Sequence, residues 1–201
     1  MGVVVVLVGA LAGAVNGWPD NSSSSSPADD DKPRATTDLS SHSQQGAVRA
    51  AVAMATRYGS DEMYRPADRH QLLRDTTEQS RVPDLLRATD DQYGPFSQRL
   101  GLDSEGHPPA GARLTSVSVP AGTKVRSYTG RIAEIDVWYS SLFGLTGPGL
   151  PEQIPVESGW GTMTLYLQWT ADGWRAIEYK QTSGPTPGTA PAAQFDQVPQ
   201  P

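Results

Sequence analysis

The sequence predicts an α+β fold in which N-terminal helices pack on a curved antiparallel sheet. Three observations predict it. Val48, Ala51, Val52, Ala55 and Tyr58 recur at helical spacing and make one apolar stripe. From Leu114 onward the apolar period changes from 3.6 to 2. Near the C-terminus, WGTMTLYLQW and WRAIEYKQ flank Asp172-Gly173, the residue pair that a tight hairpin turn favours.

The elements follow in chain order. The stripe from Gly46 predicts the first packed helix. In RPADRHQLLRDTT, Pro66 suits a helix start and Leu72 and Leu73 supply its apolar contacts. VPDLLRATDDQY predicts a third helix, with Pro83 in its first turn and Gly94-Pro95 as its stop. After a Gly- and Pro-containing loop around His107 to Gly111, LTSVSV, TKVRSY and RIAEIDVWYSSLF read as strands. In the last of these, Ala133, Ile135, Val137 and Tyr139 share a face opposite Glu134 and Asp136, the alternation of a half-buried strand. GLTGPGLPEQIPVESG reads as a loop before the final hairpin, in which Met163, Leu165, Leu167 and Trp169 share a face.

Four segments result. Residues 1–18 are an apolar membrane anchor or signal segment, uncharged from Val3 to Val15 and ending at the interface-favouring Trp18. The run is short for a span, which needs about 17 to 25 residues. It is expected either to be the end of a longer anchor or to be a signal core cleaved near Ala10, Ala12 and Ala14. Residues 19–45, rich in Ser and Asp, lack apolar periodicity and are expected to form a disordered linker that includes His42. Residues 46–183 carry the α+β domain, and residues 184–201 are expected to be a disordered, Pro-rich tail.

Composition removes several classes of function. The formal net charge of −6 argues against a general nucleic-acid binder, which needs clustered Lys and Arg. Arg65, Arg69 and Arg74 are a scattered helical set that reads as a solvated face. The sequence has no cysteine, so disulfides, thiolate metal sites, a Cys nucleophile and a lipid-bearing cysteine are all excluded from it.

Catalytic patterns are equally sparse. His42, His70 and His107 lie on the linker, a charged helix and a loop, with no ligand spacing among them. No HExxH, GxSxG, Walker or dinucleotide motif occurs, and the Gly-rich strings GLTGPGL and PAGTK precede no helix start that would aim amides at a phosphate. Glu134 and Asp136 point the same way and are the one closely spaced acidic pair on a strand. On a concave face they would suit proton abstraction, with Tyr166 or Tyr179 donating to an oxyanion. The simpler reading is that they form the wet face of their strand, because the opposite face supplies the core. Trp138, Trp160, Trp169 and Trp174 could line a ligand pocket, but cross-strand core packing accounts for them more simply. No catalytic, cofactor-binding or metal-ligating residue is assigned.

Helices followed by a meander that curls over them resemble the cystatin-like cone of the nuclear-transport-factor-2-like superfamily, which includes both ketosteroid-isomerase-type enzymes and non-enzymatic secretion scaffolds. The order of apolar segment, Ser/Asp stalk, small-residue helix, DVWYSSLFG and WGTMTLYLQWTADGWRAIEYKQTSGPTP also resembles membrane proteins encoded with conjugation genes in high-GC Gram-positive bacteria. That resemblance implies a non-enzymatic extracytoplasmic assembly module of a conjugative or type IV secretion-like apparatus. Its partners would be proteins of a membrane-associated assembly, with self-association left open, and the membrane itself through the N-terminal segment. It would be a single-pass protein of the cell membrane with its C-terminal domain outside the cytoplasm, or a secreted one if the first segment is cleaved. The alternatives are a small-ligand-binding or isomerase-like enzyme on the same cone, and a secreted binding protein. Fold alone does not choose among them.

Overall fold

The computed structural model describes residues 41–199, so the expected membrane segment and most of the expected linker lie outside the described residues. Three α-helices, α1 (Gln44–Tyr58), α2 (Pro66–Thr76) and α3 (Val82–Leu100), precede four strands, β1 (Arg113–Tyr128), β2 (Ile132–Thr146), β3 (Ile154–Thr170) and β4 (Gly173–Ser183). The strands make one antiparallel meander in the order β1-β2-β3-β4. The helices cover one face of this curved sheet, which is the α+β arrangement expected. Among the described residues no helix is long and apolar enough to cross a membrane.

The core lies between the helices and the inner sheet face. Ala133, Ile135 and Val137 of β2, Met163, Leu165 and Leu167 of β3, and Trp174, Ala176 and Tyr179 of β4 are all buried there. Opposite them, the small side chains Ala47, Ala51 and Ala55 let α1 lie close to the sheet, while Met54 and Tyr58 fill the space around them. Leu72 and Leu73 of α2 complete the centre, as their spacing predicted.

Several boundaries differ from the sequence reading, each for a physical reason. The third helix runs through Gly94-Pro95 to Leu100. Pro95 sits on the exposed side of α3, while Tyr93, Ser97 and Leu100 bury at helical spacing and offset the cost of a mid-helix proline, about 3 kcal/mol. LTSVSV and TKVRSY are one strand, β1, whose register shifts at Pro120/Gly122 and Val125/Ser127 absorb the interruption. The expected loop from Gly144 to Gly159 is shorter because β3 already pairs with β2 at Ile154, opposite Leu145. Pro155 is tolerated there because β4 pairs with β3 only up to Gly161, leaving that stretch of β3 an edge.

Both ends of the domain are longer than expected. At the front, the Ser43 hydroxyl caps α1 by accepting from Gly46 N at 3.0 Å. Gly46 is required by close approach, since a Cβ there would meet Ser41 O at 1.9 Å. At the back, the expected tail packs across the outer sheet face: Thr123 and Asp196 exchange backbone hydrogen bonds of 2.9 and 2.8 Å, and Ala192–Gln194 makes a short helical turn. A Cβ on Gly122 would lie 2.8 Å from Phe195 Cβ, so the glycine is what lets the tail lie flat.

Candidate functional site

The acidic pair comes first. Glu134 and Asp136 do share the outer face, away from the core, but Asp136 is not wet: it is only 3% exposed. Arg126, thrown outward by the second register shift of β1, places its Nε 2.7 Å from Asp136 Oδ2. Thr164, directly across on β3, donates from Oγ1 to Asp136 Oδ1 at 2.7 Å. Both carboxylate oxygens are therefore engaged, and the hydrogen bond to Asp136 pushes the Arg126 guanidinium above its ordinary range. Glu134 lies 3.6 Å from the same guanidinium.

The two tyrosines named as donors end on opposite faces. Tyr166 faces Glu134 across the strand pair on the outer side, under the Lys180 ammonium. Tyr179 is in the core beside Tyr58, where burial raises its hydroxyl well above the ordinary range. Only one of them could ever serve a substrate held by Glu134 and Asp136.

The tryptophans also divide by face. Trp169 and Trp174 are cross-strand partners on the inner side, 5.4 Å apart at 67°. Trp174 is core as expected and Trp169 packs against it. Trp138 and Trp160 instead stack on the outer face at 4.6 Å, with Phe195 of the tail on Trp138. Trp138 Nε1 donates to Pro185 O at 2.8 Å. They do not form one aromatic pocket.

The histidines and helical arginines are more engaged than their spacing suggested. The His42 ring lies parallel to Trp169 at 4.3 Å and its Nε2 hydrogen-bonds Gly130 O, while Trp174 Nε1 donates to Ser41 O at 3.1 Å. The start of the domain is thus fastened to the end of the sheet that carries the β1–β2 and β3–β4 turns. Arg69, read as solvated, is 3% exposed and donates to Met63 O and to Asp90 Oδ1, both at 2.7 Å. Burial pushes Asp90 upward, but hydrogen bonds from Arg69 and His70 overcome it and hold the carboxyl below its ordinary range. Tyr93, beneath Arg69, is pushed up to about 12 by burial. Arg65 pairs with Asp61 and Asp68 at the surface, and His107 stays in its exposed loop near Asp103 and Glu105.

Two surface features escaped sequence reasoning. One is an open cleft of about 850 Å³ between the end of α2, the start of α3 and the β3–β4 turn, lined by Arg74, Asp75, Glu78, Asp172 and Arg175 among others. Its two cations and three carboxylates nearly balance, so it offers no strong field of either sign. No signal in the sequence brings the turn next to α2. The other is an apolar corner on the outer face: Val117, Val119, Leu142 and Val156 are 42%, 55%, 44% and 48% exposed, and are the large apolar side chains left open among the described residues. Ser116 and Ser118 take the inner positions because a Cβ on Gly59, just after α1, would lie 2.2 Å from Ser118 Cβ, too close for a valine. The corner lies about 30 Å along β2 from the His42 end, ten residues at strand rise from Ile132 to Leu142. Among the described residues no group of three or more His, Cys, Asp or Glu is placed to hold a metal ion.

No family model and no curated protein matches the chain. Among solved structures, the intermembrane space region of chloroplast protein ARC6 is similar at 14% identity and a TM-score of 0.41, the match covering 70% of this chain and 94% of that one.

Proposed function

We propose that the chain is a non-enzymatic, membrane-tethered assembly module whose domain works outside the cytoplasm as a protein-binding part of a conjugative or type IV secretion-like apparatus. The observation that carries this reading is the opposition of the two ends of the sheet. The chain from the linker is fastened at the His42–Trp169 end, and the exposed apolar corner of Val117, Val119, Leu142 and Val156 lies at the other. A tether at one end presents the far end to partners, and clustered exposed apolar side chains are what a protein contact uses. The isomerase-like alternative gains no support at Asp136, whose two carboxylate oxygens are already bonded to Arg126 and Thr164 in a buried position that a substrate does not reach. The apparatus itself is taken from the resemblance of DVWYSSLFG and the final hairpin.

The test is a conjugal transfer assay in a host whose copy of the gene lacks the codons for residues 41–199 but keeps the preceding segment. Transfer should fall to the level of a strain without the gene. Unaffected transfer would overturn the proposal.

A further inference from the structure

The sheet has four stretches of strand edge, and they are treated differently. Along β4, Glu78 N donates to Ala176 O at 2.8 Å, Arg81 reaches Ile177 O and a register shift falls at Ile177, between Ala176 and Glu178, so that edge is capped and bent. The overhang of β3 carries Pro155 and Glu157 and ends where Gly184 N bonds Trp160 O. The second half of β1 has Pro120, two register shifts, Lys124, Arg126 and the tail bonded at Thr123. These are the devices that stop an edge from pairing with another chain.

From Leu114 to Val119 none of them is present. The stretch has no charge, no proline and no register shift, and is built of Thr, Ser and Val alongside one Leu. Among the described residues its backbone makes no hydrogen bond to any backbone outside β2. Val117 and Val119 stand exposed beside it. A strand edge of this composition is a template for a further strand.

We infer that this edge pairs with the same edge of a second copy of the chain, antiparallel and centred on Val117. The limits of the edge set that centre. The unprotected stretch ends at Val119, before Pro120, and opposite residues of a two-fold antiparallel pair must share a sheet face, so a centre on Val117 keeps the paired residues Thr115 to Val119 inside that stretch and on matching faces. About that centre Val117 meets its own mate, Thr115 meets Val119 and Ser116 meets Ser118, so β-branched residues face one another on the outer side and no like charges oppose. The contact is isologous and closes as a two-fold dimer rather than propagating. It would join two four-stranded sheets into one and merge the two apolar corners. The inference goes beyond the tethered-module proposal and does not require it.

The absence of cysteine makes the test direct. In the full chain, in the cell fraction where it accumulates, Val117→Cys, Val119→Cys and Leu142→Cys are made singly and oxidised mildly. Val117→Cys should form a covalent dimer, because antiparallel partners lie within disulfide reach. Val119→Cys should not, since its mate would lie about 13 Å away along the strand. The exposed substitution Val117→Lys, which sets like charges opposite each other, should abolish the dimer by sedimentation while leaving the circular dichroism spectrum unchanged. Dimer formation strongest at Leu142→Cys would mean that sheets stack face to face and would overturn the inference, as would no dimer at any position or a dimer that survives Val117→Lys. Loss of transfer with no change in self-association would leave the assembly proposal standing alone.

Discussion

Arg126 reaches from β1 to β2 and holds the buried carboxylate of Asp136 with its Nε 2.7 Å from Oδ2. The two partners are unequally placed: the Arg126 side chain is half-exposed, whereas that of Asp136 is almost wholly enclosed. Removing the arginine strands a buried charge, and removing the charge frees a guanidinium that water can reach. Arg126→Gln should therefore destabilise by about 1 to 3 kcal/mol, and Asp136→Asn by less. Urea unfolding of both variants checks the order, and an equal or reversed order contradicts the asymmetry.

Asp90 supplies a pH dependence. Its folded-state pKa is depressed, so the stabilisation from Arg69 and His70 is fully present above the unfolded aspartate pKa of about 3.9. It is lost as pH falls through the lower, folded value. Asp90→Asn should lower stability at pH 6 and flatten the fall below about pH 4. Urea midpoints measured from pH 6 down to pH 2.5 test this, and parallel curves for parent and variant would rule it out.

The domain start should be energetically coupled to the final hairpin. Trp174→Ala should cost about 3 to 5 kcal/mol, as for other buried aromatics, and the partly buried Trp169 less. His42→Ala should cost roughly 0.5 to 1.5 kcal/mol, and that cost should shrink when Trp169 is already Ala, leaving the share that belongs to the hydrogen bond with Gly130 O. Thermal melts of the two single variants and the double variant give the coupling directly.

Deleting residues 188–201 removes Phe195 from Trp138 and Asp196 from the edge of β1. The loss should be about 1 to 3 kcal/mol, and tryptophan emission should shift to the red as Trp138 and Trp160 meet water. Unchanged emission would show that the tail leaves the sheet in solution.

The fold was legible because the inner face obeys simple periods. Ala133, Ile135 and Val137 alternate, and Leu72 and Leu73 fall where a helix needs them. What escaped reading depends on contacts between distant segments. Nothing near Pro95 announces that Tyr93, Ser97 and Leu100 have a core to face, and nothing near His42 announces Trp169. In LTSVSV, alternation alone would turn the valines inward. The close approach of Gly59 reverses this, a fact held in the end of α1 and not in the strand. Asp136 looked solvated for a similar reason: a shifted register in β1, invisible in its sequence, supplies the arginine that covers it.

The placement of the fastened end has a mechanical meaning. A pull applied between Ser41 and the corner at Val117 and Leu142 runs nearly parallel to the strands. The ladders joining β1, β2 and β3 then bear the load in shear, many hydrogen bonds at once, where a pull across the strands would peel them one by one. The first elements to yield under such a force are the Trp174–Ser41 hydrogen bond and the His42–Trp169 stack. Their release would free the first few described residues from the sheet and leave the sheet itself intact.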